Sequence, residues 1–368
     1  MRNPPKILLC PLDWGLGHAS RCVPIIRALL ERGCEVLLGT AGIQEAFYAK
    51  EFPDLAQVPA PPYNIRYPEH GWQMPLWLIR EAPRLRRLVS AEQRWTENIC
   101  AQHGITLVIS DNRFGCFSRK VPSIYITHQV RIAFPKPFHI FEKLGEALHL
   151  RIQRQFKKVW IPDWQNEDNL AGRLSHSGIV DGLHQFIGPL TRFAPATALE
   201  KMANKDCDLL ILLSGPEPQR SLIEGLTLNM LENRPERVIL IQGRPGLTAP
   251  QSHLPNVKIL PHASTDDLRA MILSSQMILC RSGYSTLMDL QVLGAKAVLV
   301  PTPGQTEQEC LAADLRKKGT CGALKQSQLS WPNLRAEECH AHGFLDVRDS
   351  STLLQDAIQT ALNLNGTL

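Results

Sequence analysis

The sequence predicts an α/β protein built as two Rossmann-like domains facing across a cleft. Three observations carry that expectation. The chain's 368 residues exceed what one hydrophobic core comfortably serves, so two domains of similar size are expected. Short apolar runs alternate with amphipathic stretches through both halves, and several of the runs end in glycine-bearing turns, as parallel strands feeding helices do. Phe186 to Phe193, followed by small and polar residues up to Asp206, reads as the connection between the halves. The expected division is 1–190, 191–350 and a terminal helix over 351–368.

Composition narrows the class. Hydrophobic residues make up 44% and charged residues 20%, the balance of a globular protein. A net charge of +5 is too small to argue for nucleic acid, although clustered basic residues would favour an anionic membrane surface. Ten cysteines without a C-x-x-C pair, and a start (MRNPPKILLCPL) without a signal-peptide layout, point to reduced thiols in the cytoplasm. No run of about 18 uncharged apolar residues occurs, so membrane contact is expected to be peripheral. Nor does an Asp-x-Asp pair stand at a suitable turn, and neither metal nor cofactor is expected.

In chain order, Lys6 to Pro11 is a strand, Leu12 to Ser20 a glycine loop, and Arg21 to Arg32 a helix with Val23, Ile26, Leu29 and Leu30 inward. The loop's third dinucleotide position is Ser20 rather than Gly, and the next strand ends at Gly39 and Thr40 without a ribose-binding acid. That argues against a nicotinamide site. His18 stands where an imidazole titrating near neutral pH can take a proton from an attacking hydroxyl; a histidine neighbouring a helix start is the plainer reading. Ile105 to Ser110 forms a buried strand that brings Asp111 to the same sheet edge. Asp111 can orient His18, and Asp followed by Asn equally reads as a turn. Ser123 to Thr127 is a further strand, ending in His128-Gln129.

Two segments of this half mix basic and apolar residues. Trp72 to Leu88 sets Trp77, Arg80, Arg84, Arg86 and Arg87 against one acid, Glu81. Val130 to Trp160 holds seven Lys or Arg against two Glu, among Phe134, Phe138, Phe141, Leu148, Leu150, Ile152 and Phe156. Each reads either as a solvated helix face over a core or as a surface for anionic lipid.

The second half restarts the pattern at Asp208 to Leu213, with Ser214-Gly215-Pro216-Glu217-Pro218 turning into a helix near Gln219. The two prolines remove N–H donors, which disfavours a full phosphate cradle there. Val238 to Gln242 and Val257 to Leu260 are strands, and Ser264 with Asp267 caps a helix over Asp266 to Leu273. Leu279 to Ala312 is the densest stretch. Its strand ends in Arg281-Ser282-Gly283, and a helix starting near Ser285 offers N–H donors and a positive dipole end to a diphosphate near Ser282, Gly283, Ser285 and Thr286. Asp289 lies one turn on, placed to accept from a ribose. After Gly294 closes the helix, Ala297 to Val300 is a strand that delivers Glu307 and Gln308 to its carboxyl end. Ser351 to Leu362, apolar at Leu353, Leu354, Ile358 and Leu362, is a final amphipathic helix.

Taken in this order, the Arg-Ser-Gly turn, the hydroxyl pair, the acid one turn later, the Gly, the apolar strand, the Pro and the acid-Gln pair resemble family 28 glycosyltransferases of the two-domain B fold (GT-B). The resemblance is most specific over Leu279 to Ala312 and extends more loosely over nearly the whole chain. It implies a UDP-sugar donor held by the second domain, a hydroxyl acceptor such as a lipid-linked one held by the first, and inverting transfer without a metal. Gly15, Gly17 and His18 match the family's glycine loop, and His128 its second histidine motif. Ser214 and Gly215 match in position a phosphate loop, His262 and Ala263 a uracil contact made through backbone groups, and Arg281, Ser282 and Gly283 the donor turn. Leu311 stands where the family would have Asn. The resemblance also implies a terminal helix crossing back to the first domain, while the two basic segments together point to a peripheral place on the inner membrane face. Rival readings are a UDP-sugar epimerase of the same fold, or a non-catalytic nucleotide-binding partner subunit.

Overall fold

The computed structural model describes residues 4–63, 74–131, 142–166, 168–201, 205–215, 217–245, 247–248, 251–345 and 348–364, with side chains 74–79 and 144 excepted. Trp72, Phe134, Phe138, Phe141, Pro216 and the Trp77 side chain lie outside the described residues. The chain divides into two compact units, the first holding residues up to Thr191 together with Ser350–Leu368, the second Arg192–Asp349.

The first unit is a parallel sheet flanked by helices. Its strands are β1 (Lys6–Pro11), β2 (Glu35–Thr40), β3 (Gln57–Pro59), β4 (Leu107–Asp111), β5 (Ser123–Ile126), β6 (Lys158–Ile161) and β7 (His184–Phe186). They run in the order β3-β2-β1-β4-β5-β6-β7. Near-continuous apolar runs such as ILLC in β1 and LVIS in β4 suit a sheet covered on both faces. Leu8, Cys10, Leu37, Val108, Ile99 and Cys100 close one side of it, the last two from α3 (Met74–His103).

Helix α1 (Leu16–Glu31) starts five residues before the sequence reading placed it. Gly15, with φ 77°, makes the sharp turn out of β1, and the helix begins directly after it, so His18 lies in the first turn of α1 rather than in a preceding loop. Val23, Ile26 and Leu29 are buried as expected. Leu30 is 38% exposed, and Ile25 takes the inward place instead. The remaining helices of the unit are α2 (Ile43–Glu51), α4 (Glu142–Gln153), the single turn α5 (Arg173–His176) and α12 (Ser351–Asn363).

Helix α12 completes this unit from the far end of the described chain. Leu354, Ala357, Ile358 and Ala361 are buried, whereas Leu353 is 38% exposed. Ser350 Oγ donates to Pro189 O at 2.8 Å, and Arg32 Nη2 on the end of α1 donates to Gln355 O at 3.0 Å. Gly188 allows the approach. Its φ is 72°, and a Cβ there would fall 2.3 Å from Ser350 Cβ.

The second unit repeats the plan with β8 (Cys207–Leu212), β9 (Val238–Ile241), β10 (Val257–Leu260), β11 (Ser275–Cys280), β12 (Ala297–Leu299) and β13 (Gly322–Ala323), parallel and ordered β10-β9-β8-β11-β12-β13. Helices α6 (Ala198–Lys201), α7 (Gln219–Met230), α8 (Thr265–Ser274), α9 (Tyr284–Leu293), α10 (Thr306–Lys317) and α11 (Trp331–His340) connect and flank them. Leu209, Ile211, Leu240, Met277, Leu279, Val298 and Leu334 form its core. Ser264 caps α8 by accepting Asp267 N at 3.2 Å, and Gly294 closes α9 in the left-handed region.

Candidate active site

In open parallel sheets, ligand sites form beyond the carboxyl ends of the strands, where the strand order reverses direction. That point lies between β1 and β4 in the first sheet and between β8 and β11 in the second.

In the first unit, α1 follows β1 and carries His18 over the carboxyl end of β4, whose last residue is Asp111, registered with Pro11 of β1. His18 Nδ1 lies 2.9 Å from Asp111 Oδ2. Asp111 is fully buried, and Arg21, one helical step beyond His18, grips both its oxygens: Nε reaches Oδ1 and Oδ2 at 3.0 Å each, and Nη2 also donates to Oδ1. Arg21 Nη1 is 3.5 Å from Nδ1 of His128, which follows β5 and is itself buried. Cys22 Sγ points at Asp111 Oδ2 from 3.7 Å.

Electrostatics assigns the protons. Burial alone would raise the Asp111 carboxyl, but the charges of Arg21 and His18 outweigh it and hold the group at about 2, so it is ionised at neutral pH. A carboxylate accepts only, so His18 must donate through Nδ1–H, leaving the Nε2 lone pair as the basic site. Burial first, and then the Arg21 cation, lower the His18 imidazole below its ordinary value in spite of Asp111. A neutral ring at physiological pH, with 15% of its side chain exposed, can accept a proton.

A second ionic knot lies under the glycine loop. Buried Arg113 bonds Glu92 Oε1 of α3 at 2.5 Å and the carbonyls of Pro11 and Pro61, and stands 3.9 Å from Asp13 Oδ1. Tyr63 donates its hydroxyl to Glu92 Oε2 at 2.8 Å, while its backbone N–H bonds Asp13 Oδ2 at 3.0 Å. This knot fixes where the loop leaves β1. Gly15 is exposed and Gly17 half-buried.

In the second unit, Ser282, Gly283, Ser285, Thr286 and Asp289 gather at the carboxyl end of β11 and on α9. Gly283, Ser285, Thr286 and Asp289 are half-buried, but Ser282 is fully buried and donates its hydroxyl inward to Gln308 O at 2.8 Å. Of the helices following β8, β10, β11 and β12, two carry their own anions: α8 has Asp266 and Asp267 in its first turn, and α10 has Glu307 and Glu309. In α7, Ser221 N bonds the Glu217 carboxylate at 3.2 Å. Helix α9 has no acidic residue in its first turn and no side-chain cap from Gly283. Its positive dipole end therefore suits an external anion better than its neighbours do.

Arg281 takes a different place from the one its sequence position suggests. It is 1% exposed, with Nη1 on the carbonyls of Val300 (3.1 Å) and Pro301 (3.2 Å), and Nη2 on Gln219 O (3.0 Å) and Gln326 Oε1 (2.7 Å). Burial lowers its pKa to about 10. With every Nη hydrogen on a protein oxygen, it braces the strand ends rather than reaching for phosphate. Gln308 likewise accepts Thr302 N at 2.9 Å and donates to Gln305 Oε1 at 2.6 Å, shaping the 302–305 turn beside half-buried Glu307. Ser214 and Gly215 are exposed at the end of β8, with Gly215 at φ 101°. At the end of β10, His262 is half-buried and Ala263 buried.

Residues 222–337 match the family described as the glycosyltransferase family 28 C-terminal domain. The match covers less than half of the chain; the chain is a glycosyltransferase whose 222–337 segment is similar to that family. An uncharacterized glycosyltransferase of Methanosarcina acetivorans is 22% identical over 85% of this chain and 84% of its own length. A shorter match, 39% identical over 17% of this chain and 18% of the relative, is to the UDP-N-acetylglucosamine–N-acetylmuramyl-(pentapeptide) pyrophosphoryl-undecaprenol N-acetylglucosamine transferase of Sinorhizobium medicae. Among solved structures, the calicheamicin glycosyltransferase CalG4 superimposes with a TM-score of 0.64 over 99% of both chains at 14% identity, a likeness of fold. The chain thus has the two-domain B fold, with the histidine pair in one unit and the family-matched segment in the other.

Sequence reasoning missed Arg21 and the Glu92–Arg113 knot. Arg21 was detectable in principle, since it follows His18 by three residues and shares its helix face in a stretch that is otherwise apolar inward.

The basic segments are mixed in structure. Arg80, Arg84, Arg86 and Arg87 are exposed on α3, with Arg84 paired to Glu81. In and after α4, Lys143, Arg151, Arg154 and Lys157 are exposed beside Leu148, which is 57% exposed. Phe156 is core with Tyr125, and Ile152 packs against them, as the reading of a helix over a core has it. Among the described residues no helix is long and apolar enough to cross a membrane, and no group of three or more His, Cys, Asp or Glu is placed to hold a metal ion.

Proposed function

We propose that the protein transfers a sugar from a UDP-sugar to a hydroxyl acceptor with inversion, the first unit binding the acceptor and the second the donor. The observation that carries this is the His18–Asp111 pair at the first strand-order reversal. In the reaction, the acceptor oxygen attacks the anomeric carbon while its proton passes to His18 Nε2, and Asp111 steadies the imidazolium that results. The bond to the nucleotide breaks, its electron pair leaving on the β-phosphate oxygen. Amides at the start of α9, with Gly283, Ser285 and Thr286, stabilise that charge without a divalent ion. Asp289 accepts from the ribose, backbone groups at His262 and Ala263 meet the uracil, Ser214 and Gly215 flank the phosphates, and Glu307 faces the sugar beside the turn that Gln308 shapes. Gly15 and Gly17 let the acceptor approach the loop closely, and His128 lies on the acceptor side.

The match to a transferase acting on an undecaprenol-linked acceptor supports N-acetylglucosamine as the sugar and a lipid-linked acceptor. The exposed arginines of α3 and the Leu148 patch of α4 support docking on the anionic inner face of a membrane. A thermal-shift screen of UDP-sugars, followed by turnover with and without EDTA, tests the proposal. A UDP-sugar that stabilises the fold and is consumed only with acceptor, in EDTA, is the expected result. Consumption without acceptor would indicate epimerisation, and full turnover in His18→Ala would remove the base.

A further inference from the structure

The geometry points to Arg21 as a positioning residue that fixes, through opposite contacts, which ring nitrogen carries the proton in both His18 and His128. A guanidinium only donates, so its Nη1, 3.5 Å from His128 Nδ1, requires that nitrogen to accept and puts the proton of the neutral ring on Nε2. Through Nε and Nη2 it holds both oxygens of Asp111, which in turn requires Nδ1–H of His18. One side chain thereby makes the two rings opposites, His18 a base at Nε2 and His128 a donor there. That arrangement rests on the general-base reading of His18 and deepens it: the side chain that holds the base's carboxylate partner also sets the tautomer of the neighbouring ring.

The groups facing the cluster come from several elements. Asp111 closes β4, Cys22 and Arg21 come from α1, and His128 follows β5. Tyr48 of α2 donates its hydroxyl to Ala19 O at 3.0 Å, and Tyr125 of β5 bonds Asn112 Oδ1 at 2.9 Å. Burial pushes both phenols and the Cys22 thiol up, so all three stay neutral across the working range. Arg21 and Asp111 carry opposite charges beside His18.

The test is a ring-nitrogen NMR titration of the full chain labelled with 15N-histidine, with His18→Gln and His128→Gln assigning the signals. Wild type should show a protonated Nδ1 on His18 and a protonated Nε2 on His128. In Arg21→Met, His128 should lose its fixed tautomer. The His18 midpoint should rise by about one pH unit, because a like charge has gone while Asp111 remains. The acidic limb of kcat/KM should move up with it, about tenfold in rate on the acid side and little on the basic side.

Should Arg21→Met fail to fold, Arg21→Lys supplies the reading: a point charge cannot span both partners, so the His18 midpoint stays near wild type while His128 is released. Unchanged tautomers and midpoint in whichever variant folds would overturn the proposal. The NMR readout needs no turnover, so an active His18→Ala enzyme would count against the general base without touching the role of Arg21.

Discussion

At the strand-order reversal of the first unit, the sheet ends in the buried Asp111–Arg21 ion pair, to which His128 and the partly exposed His18 are bonded. At the corresponding place in the second unit, the buried cation Arg281 is held by the carbonyls of Val300, Pro301 and Gln219, and the start of α9, with no acidic residue in its first turn, carries half-buried Ser285 and Thr286. The two sheets follow the same order through six strands, the first adding β7 at its edge. They differ in whether the chain supplies formal charges or leaves the field to peptide dipoles, and so the first suits moving a proton and the second holding an anion.

The comparison breaks most directly at His18. His18→Ala is expected to lower kcat by about 10²–10⁴-fold while leaving the midpoint of UDP-induced thermal stabilisation unchanged. Parallel losses in both would mean the units do not divide the work.

Acid should also distinguish them. Asp111 lies at about 2, below its unfolded value, so the stability it gives is full above pH ~4 and lost as pH falls towards ~2, on the order of 2 kcal/mol. His18 adds a loss in the same direction, since its folded value is depressed: the neutral form is favoured above pH ~6.5, and protonation below that disfavours the fold. Hydrogen exchange should therefore accelerate at the β4 amides more than at β11 between pH 4 and 2.5, and equal acceleration contradicts the contrast.

Thr286→Asp puts a carboxylate in the first turn of α9. The expected outcome is about tenfold weaker UDP binding by calorimetry, with an unshifted pH-rate profile and a fold no less stable, because the acid itself suits the helix start. The mildest change is Ser264→Ala, which removes the α8 cap and should cost about 1 kcal/mol in the second unit with catalysis intact.

Much of this was legible in the sequence because it is local. Apolar runs with glycine turns marked most of the strands, Ser264 with Asp267 marked a cap, and Gly294 marked a helix end. The His18–Asp111 pairing could be anticipated from two strand ends at one sheet edge. What escaped is what long-range packing decides. Arg21 finds Asp111 across 90 residues of chain, and Arg281 reads as a ligand group until Val300, Pro301, Gln219 and Gln326 arrive around it. Ile152 and Phe156 read equally as surface or core in a basic run because the core they enter is built from Phe117, Tyr125 and Val159. The start of α1 was misplaced because Gly15 turns the chain in a single residue, leaving Leu16 and Gly17 to be helical despite glycine's poor propensity.

Helix α12 sets a timetable for the nascent chain. Nearly all of the second unit is the continuous stretch Arg192–Asp349, able to collapse as soon as Asp349 clears the ribosome, whereas the unit that holds His18 waits for a segment made after it. Until that clasp arrives, the apolar flank of α1 stays open to chaperones, and a protease cutting between Asp349 and Ser351 would disable the earlier-made half while sparing the later one.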